Sequence, residues 1–162
     1  MGQGKEIRPL DWRSQPWKNG GGVTHEIARW PADARDGEYE VRVSLAMVTR
    51  SGPFSLFPGY RRWTFLAGAS PIELWTAHDT RVLALLGDHI ELDGEVAIDA
   101  VVTRPTELLN VIARADVRVG YGLPRQPVRF AMALSPTYQL AARHALMFDP
   151  PQEVAVRTLW IV

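Results

Sequence analysis

Two stretches of this chain concentrate side chains able to handle a small anion. The first runs Pro16-Trp17-Lys18-Asn19-Gly20-Gly21-Gly22-Val23-Thr24-His25-Glu26-Ile27. Three glycines after an asparagine let the backbone turn tightly and come close to a neighbour. Neither a Lys-Ser/Thr pair nor a helical pattern follows them, so this is not a phosphate loop. In an extended strand beyond the glycines, Thr24 and Glu26 share one side and His25 and Ile27 the other. Lys18, Asn19, Thr24 and Glu26 then either rim a polar pocket or sit as solvated groups on a glycine-rich hairpin. The second stretch is Ser51-Gly52-Pro53-Phe54-Ser55-Leu56-Phe57-Pro58-Gly59-Tyr60-Arg61-Arg62. Its phenylalanines anchor a loop turned by Pro58-Gly59, and two arginines open the next strand facing opposite ways. An arginine facing a barrel interior is a buried guanidinium that needs an anion, from a side chain or a ligand. The alternative is two surface arginines.

Other chemistries have weaker footing. The four histidines, His25, His78, His89 and His144, include no His-x-His pair. His89 and Glu91 supply only two metal ligands on one strand face, and no metal site is expected. No Gly-x-Ser-x-Gly elbow is present. Asp88, Asp93 and Asp99 lie near Glu91 and Glu95, but Asp93-Gly94 reads as a turn, which makes them solvated hairpin ends rather than paired catalytic carboxylates. Trp12, Trp17 and Trp30 flank the glycine segment, and Trp63, Trp75 and Trp160 lie in strand-like runs. They serve either as core or as an aromatic wall for a planar ligand.

These residues need a sheet to hold them. Tyr39 to Val48 alternates cleanly. Tyr39, Val41, Val43, Leu45 and Met47 share one face, and Glu40, Arg42, Ser44 and Ala46 the other. The first face is core; Arg42 and Ser44 become interesting only if the second is also enclosed. Further strands are expected over 23–30, 62–66, 72–75, 81–86, 89–92, 95–102, 108–113, 117–121, 128–134, 138–142, 145–148 and 153–162. Asn19-Gly20, Asp36-Gly37, Ser51-Gly52-Pro53, Pro58-Gly59, Asp93-Gly94 and Pro150-Pro151 mark turns between them. No twelve-residue window keeps a helical period. Many short strands at this spacing predict an all-β sandwich or barrel, whose mouth is a natural ligand pocket. Residues 1–162 read as one domain with no visible internal boundary, with room for two barrel-like halves.

The composition excludes several classes. In 162 residues, eighteen Lys and Arg balance eighteen Asp and Glu, which argues against a nucleic-acid partner. With no cysteine there are no disulfides, thiolate metal sites or cysteine nucleophile. The start lacks an apolar signal region and no apolar run is long enough to span a membrane, so a cytoplasmic protein without a membrane partner is expected.

The two stretches, in this order and separation, resemble the HutD/Ves family. The resemblance rests on Trp17 to Ile27 and Phe54 to Arg62. It continues through Gly87-Asp88 and through Asn110-Val111-Ile112-Ala113-Arg114 followed by Asp116. It implies a cupin-like β-barrel fold, two barrel-like halves packed as a bicupin-type unit, and a connection with histidine utilisation or with a stress response. It also implies a regulator that binds a small pathway acid such as urocanate or formylglutamate, without an established enzymatic activity and without a cofactor. The family motif falls on Trp17, Lys18, Asn19, Gly20, Gly22, Thr24 and Glu26, on Phe54, Ser55, Phe57, Pro58, Gly59 and Arg62, and on Asn110 and Arg114. Leu108-Leu109 stand where the family usually has Asp-Phe, and the C-terminal part is shorter than usual.

Taken with the resemblance, the expected ligand-binding residues are Lys18, Asn19, Thr24, Glu26, Arg42, Ser55, Arg62 and Asn110. Arg62 would grip a carboxylate through two parallel hydrogen bonds, with Glu26 holding Lys18 or Arg62 in place. Two other readings stay open. One is an enzyme, metal-dependent or using Glu26 as base and Lys18 as acid. The other is an interaction module whose open strand edges pair with a partner or with a second copy as a homodimer.

Overall fold

The computed structural model describes residues 4–162. In chain order the strands are β1 (Lys5–Ile7), β2 (Arg13–Pro16), β3 (Gly22–Trp30), β4 (Val41–Val48), β5 (Gly52–Pro53), β6 (Arg61–Leu66), β7 (Ile72–Trp75) and β8 (Thr80–Leu83). They continue with β9 (His89–Asp93), β10 (Asp99–Val101), β11 (Thr106–Ala113), β12 (Val119–Gly122), β13 (Val128–Met132), β14 (Ala145–Gln152) and β15 (Thr158–Ile161). A short 3-10 turn at Pro9–Asp11 is the only helical element among the described residues, and none of them forms a helix able to cross a membrane. The all-β expectation holds.

The chain divides into two compact units. One is Arg13–Ala115; the other combines residues 4–12 with Asp116–Val162. The larger unit carries two antiparallel sheets, a six-stranded one ordered β2-β3-β4-β11-β6-β9 and a four-stranded one ordered β5-β10-β7-β8. Apolar side chains from both meet in one core: Val48, Leu66 and Leu108 from the larger sheet, Ile72, Leu74 and Leu83 from the smaller. This is the cupin-like half. The other unit is a single five-stranded sheet, β1-β14-β13-β15-β12, over a small core of Val128, Ala131, Phe148, Val154 and Val156. The two halves are thus unequal in build.

Cross-strand register in the six-stranded sheet decides what surrounds the barrel interior. Arg42 lies beside Ile112, and Ile112 beside Arg62. One step deeper, Ser44, Asn110 and Thr64 form the next row, and below it Ala46, Leu108 and Leu66. Because side chains alternate faces along a strand, these rows stack on one side of the sheet. The interior therefore grades from charged through polar to apolar. The face of β4 bearing Arg42 and Ser44 is enclosed, since Arg42 is mostly buried and Ser44 and Ala46 fully so. Opposite them, Val41, Val43 and Leu45 are also buried, so β4 is covered on both faces.

Several expected elements differ in the structure. The expected strand over 138–142 is a turn instead: the Thr137 hydroxyl accepts the Leu140 N–H at 2.8 Å, and the Thr137 N–H donates to the Leu140 carbonyl. Such local bonding competes with a strand ladder. The strand expected over 81–86 stops at Leu83, because the Asp88 carboxylate accepts the N–H groups of Ala84 and Leu85 and fixes a turn. The strand expected over 95–102 contracts to β10. Pro150-Pro151, expected as a turn, lies within β14, where the pairing with β13 shifts register. The strands β1, β2 and β5 were not expected, being short and polar or proline-containing.

Leu108 is wholly buried in the shared core, directly below Asn110. Truncating it to alanine removes packing from both sheets, and Leu108→Ala is expected to cost about 2 to 5 kcal/mol of stability, read from urea unfolding midpoints.

Candidate functional site

A cavity of about 470 Å³ opens in the larger unit. That volume suits a small organic molecule. Three regions of the chain close it: the Pro16–Asn19 turn, the Pro53–Phe57 loop, and the interior faces of β3, β4, β6 and β11.

The turn is built by its own chemistry. The Gly20 N–H donates to the Trp17 carbonyl and the Trp17 N–H to the Gly22 carbonyl, which closes the hairpin between β2 and β3. The Asn19 side-chain oxygen accepts the Gly21 N–H at 2.8 Å. Gly20 has φ of +69°, a conformation that favours glycine. A Cβ at Gly22 would run into the Met47 carbonyl oxygen and the Trp17 ring. The glycines thus let β3 lie close to β4 while Trp17 folds over the cavity. The Trp17 indole N–H donates to the Thr24 hydroxyl at 2.8 Å, and the ring meets Phe54 edge-on with centroids 6.1 Å apart.

Arg62 reaches into this space from β6. It is only 4% exposed. One terminal nitrogen, Nη2, donates to the Ser55 carbonyl at 2.8 Å, while Nε is buried without a partner. Its guanidinium carbon lies 4.9 Å from the Phe57 ring centroid and 5.7 Å from that of Phe54. Burial pushes its pKa down to about 10, the signature of a cation deprived of water. Among the described residues no carboxylate forms an ion pair with it. Its neighbour Arg61 faces the other way and pairs with Glu91 and Asp93 at the surface, as alternation demands.

Seven of the eight expected residues line the cavity: Lys18, Asn19, Thr24, Arg42, Ser55, Arg62 and Asn110. Their contributions differ. Asn19 spends its side-chain oxygen on the turn. Ser55 reaches Arg62 through its backbone carbonyl. Asn110 accepts the Thr64 hydroxyl at 2.7 Å, which leaves its amide N–H groups as donors. Glu26 is not on the wall. It sits behind it, 11% exposed, and does not hold Lys18 or Arg62. Its Oε2 accepts from Arg42 Nε at 2.8 Å and from Arg29 Nη2 at 2.6 Å, and its Oε1 from Arg29 Nε and Arg13 Nη2. Burial alone would raise the Glu26 carboxyl, but its bonds to Arg29 and the charge of Arg42 outweigh that and hold it below its ordinary 4.5. A carboxylate engaged by three arginines is a poor general base, which removes the acid–base pairing of Glu26 with Lys18.

Sequence reasoning missed Gln15 and Ile112 on the wall, and it noted Ser44 on the face of Arg42 without placing it among the ligand-binding residues. Ile112 could have been found by following the alternation from Asn110. Gln15, in the short β2, gave no signal. Of the motif positions, Arg114 is structural: it caps the Gly59 and Gly37 carbonyls and stacks on Tyr60. His89 stacks on Phe65 with centroids 4.7 Å apart, Glu91 pairs with Arg61, and no group of three metal-ligating side chains converges among the described residues.

The cupin-like fold and the sequence both match known proteins. The HutD family profile matches residues 10–121, and the chain belongs to that histidine-utilisation-associated family of cupin-like proteins. Among solved structures, HutD from Pseudomonas fluorescens SBW25, in a formate condition, superposes with a TM-score of 0.82 at 23% identity, covering 97% of this chain and 96% of that one. A conserved protein of unknown function from Pseudomonas aeruginosa PAO1 gives 0.71 at 24% identity, covering 99% and 92%. Both likenesses concern the fold. An uncharacterised 21.2 kDa protein in the hutC 3′ region of Pseudomonas putida is 45% identical over 62 residues, 38% of this chain and 32% of that relative. Protein Ves of Citrobacter koseri is 44% identical over 56 residues, 33% and 28% of the two chains. The matches span about a third of these curated relatives' own length.

Removing the Glu26 side chain takes the one carboxylate from Arg42, while Arg29 keeps Asp36 and Arg13 stays in solvent, and Glu26→Ala is expected to cost about 1 to 3 kcal/mol. Because its pKa is depressed on folding, the charge of Glu26 stabilises fully above 4.5 and less as pH falls through its lower folded value. The stability gap between wild type and Glu26→Gln should therefore hold above about pH 4.5 and shrink as pH falls below it. Urea titrations at stepped pH measure it.

Proposed function

We propose that this protein is a non-catalytic binder of a small organic acid, with a regulatory role in histidine utilisation or a related catabolic or stress response. One observation carries the reading: Arg62 is a buried cation in a cavity that no carboxylate lines. A guanidinium taken out of water is costly unless an anion meets it. Three cationic side chains, Lys18, Arg42 and Arg62, face the space, and Ser44, Thr24 and Asn110 supply hydroxyl and amide groups beside them. Trp17, Phe54, Phe57 and Ile112 give apolar wall for the body of a planar or short-chain acid. Family membership supports pathway acids such as urocanate and formylglutamate as first candidates.

A binder that keeps an unpaired cation ready carries a stability cost when empty. Arg62→Met should unfold at a temperature equal to or above that of wild type while losing acid binding by at least tenfold. Calorimetric titration with urocanate, formylglutamate and short acids, alongside thermal unfolding, checks both halves. A panel that leaves wild type silent contradicts the reading. Turnover of any of these acids followed by NMR would replace the binder with an enzyme.

A further inference from the structure

The connection between β3 and β4, residues 31–40, is mostly exposed, yet it is bonded to the cavity wall from behind. The β3 bulge sets Arg29 opposite Arg42, and the Glu26 carboxylate joins these two like charges. Its Oε2 accepts from both Arg42 Nε and Arg29 Nη2. Arg29 passes the hold on. Its Nε and Nη2 form a fork on Glu26, and its Nη1 donates to the Ala34 carbonyl at 2.8 Å. The same Nη2 also donates to Asp36 Oδ1 at 2.9 Å. At the far end of the connection the Tyr39 hydroxyl hydrogen-bonds Arg42. Tyr39 packs with Tyr60 and Ile112, and Ala34 and Phe57 lie against the same cluster. Arg42, Ile112 and Phe57 all line the cavity. One carboxylate oxygen thus serves two guanidinium groups, and one guanidinium nitrogen serves two carboxylates. Each can shift toward one partner at the expense of the other.

We infer that the 31–40 connection is the output of the cavity: an anion that engages Arg42 is reported there by release of Asp36 from Arg29. This rests on the reading that an acid enters the cavity, and it adds how occupancy reaches the surface. The bound anion takes up part of the Arg42 charge and competes for it with Glu26 Oε2. Glu26 then leans on Arg29, and Nη2, shared between Glu26 and Asp36 in the absence of acid, turns to Glu26. The Asp36 side chain is 87% exposed, so water replaces its lost bond at little cost. Tyr39 stays packed, which confines the change to the middle of the connection. Linkage makes the coupling run both ways, so that removing the Asp36 carboxylate favours acid binding.

The test uses the tightest binder among urocanate, formylglutamate and glutarate. Amide hydrogen exchange of the wild-type protein, with and without saturating acid, reads one direction. Exchange at residues 33–37 should quicken by about 2- to 5-fold while β3 and β4 keep their protection. Calorimetric titration of Asp36→Asn reads the other. This variant should bind the acid about 2- to 5-fold more tightly than wild type, although Asp36 does not line the cavity. Asp33→Asn removes the same charge from the same connection without touching a bond of Arg29, and it should bind as wild type does. Exchange that is unchanged or slowed on binding would overturn the coupling and leave the binder reading intact, as would equal affinity of Asp36→Asn and wild type. Equal tightening by both substitutions would reduce the effect to net charge and also overturn the coupling. If none of the three acids binds the wild type at millimolar concentration, both readings fall.

Discussion

A guanidinium buried without a counter-ion is the constraint around which this unit is arranged. Arg62 is 4% exposed, with one donor satisfied by a backbone carbonyl and another left without an acceptor. The aromatic faces of Phe54 and Phe57 offset part of the lost hydration. They do so less completely than a carboxylate would. Elsewhere in the same unit arginines are paired generously: Arg29 takes Glu26 and Asp36, and Arg61 takes Glu91 and Asp93. The contrast makes the state of Arg62 a property of the cavity, not of the surrounding composition.

The sheet explains how so polar a space survives inside a barrel. Its three stacked rows change from arginine through serine, asparagine and threonine to alanine and leucine. The apolar row joins the core shared by both sheets, so the polar groups above it weaken no packing below. Leu108 belongs to that lowest row and is wholly buried in the shared core. The glycine turn and the Pro53–Phe57 loop complete the enclosure from above, one through close backbone approach and the other through aromatic contact with Arg62.

Much of this was legible in the sequence because strand alternation is a strict rule. The opposite fates of Arg61 and Arg62 follow from their adjacency, and the enclosed polar face of β4 follows from the order of Arg42, Ser44 and Ala46. The glycine segment and the phenylalanine loop marked the two lips of the cavity. What the sequence did not carry was register. Nothing in the one-dimensional pattern places Ile112 between two arginines, or sends Glu26 to Arg42 and Arg29 in place of Lys18. The bulge between Glu26 and Ala28 illustrates why, since one extra residue changes which side chains meet across β3 and β4. Short strands such as β2 and β5 exist through pairing with neighbours, and their composition alone gives no sign of them.

The central claim is that Arg62 is an anion receptor, and the nitrogen that tests it most directly is its Nε. Arginine Nε–H resonances can be followed by nitrogen–proton correlation spectra during titration with glutarate, with Arg62→Lys identifying the signal. The account predicts a saturable shift of the Arg62 resonance that tracks the calorimetric isotherm. A resonance that stays fixed while the acid binds elsewhere, or that moves only in proportion to bulk ionic strength, would contradict it.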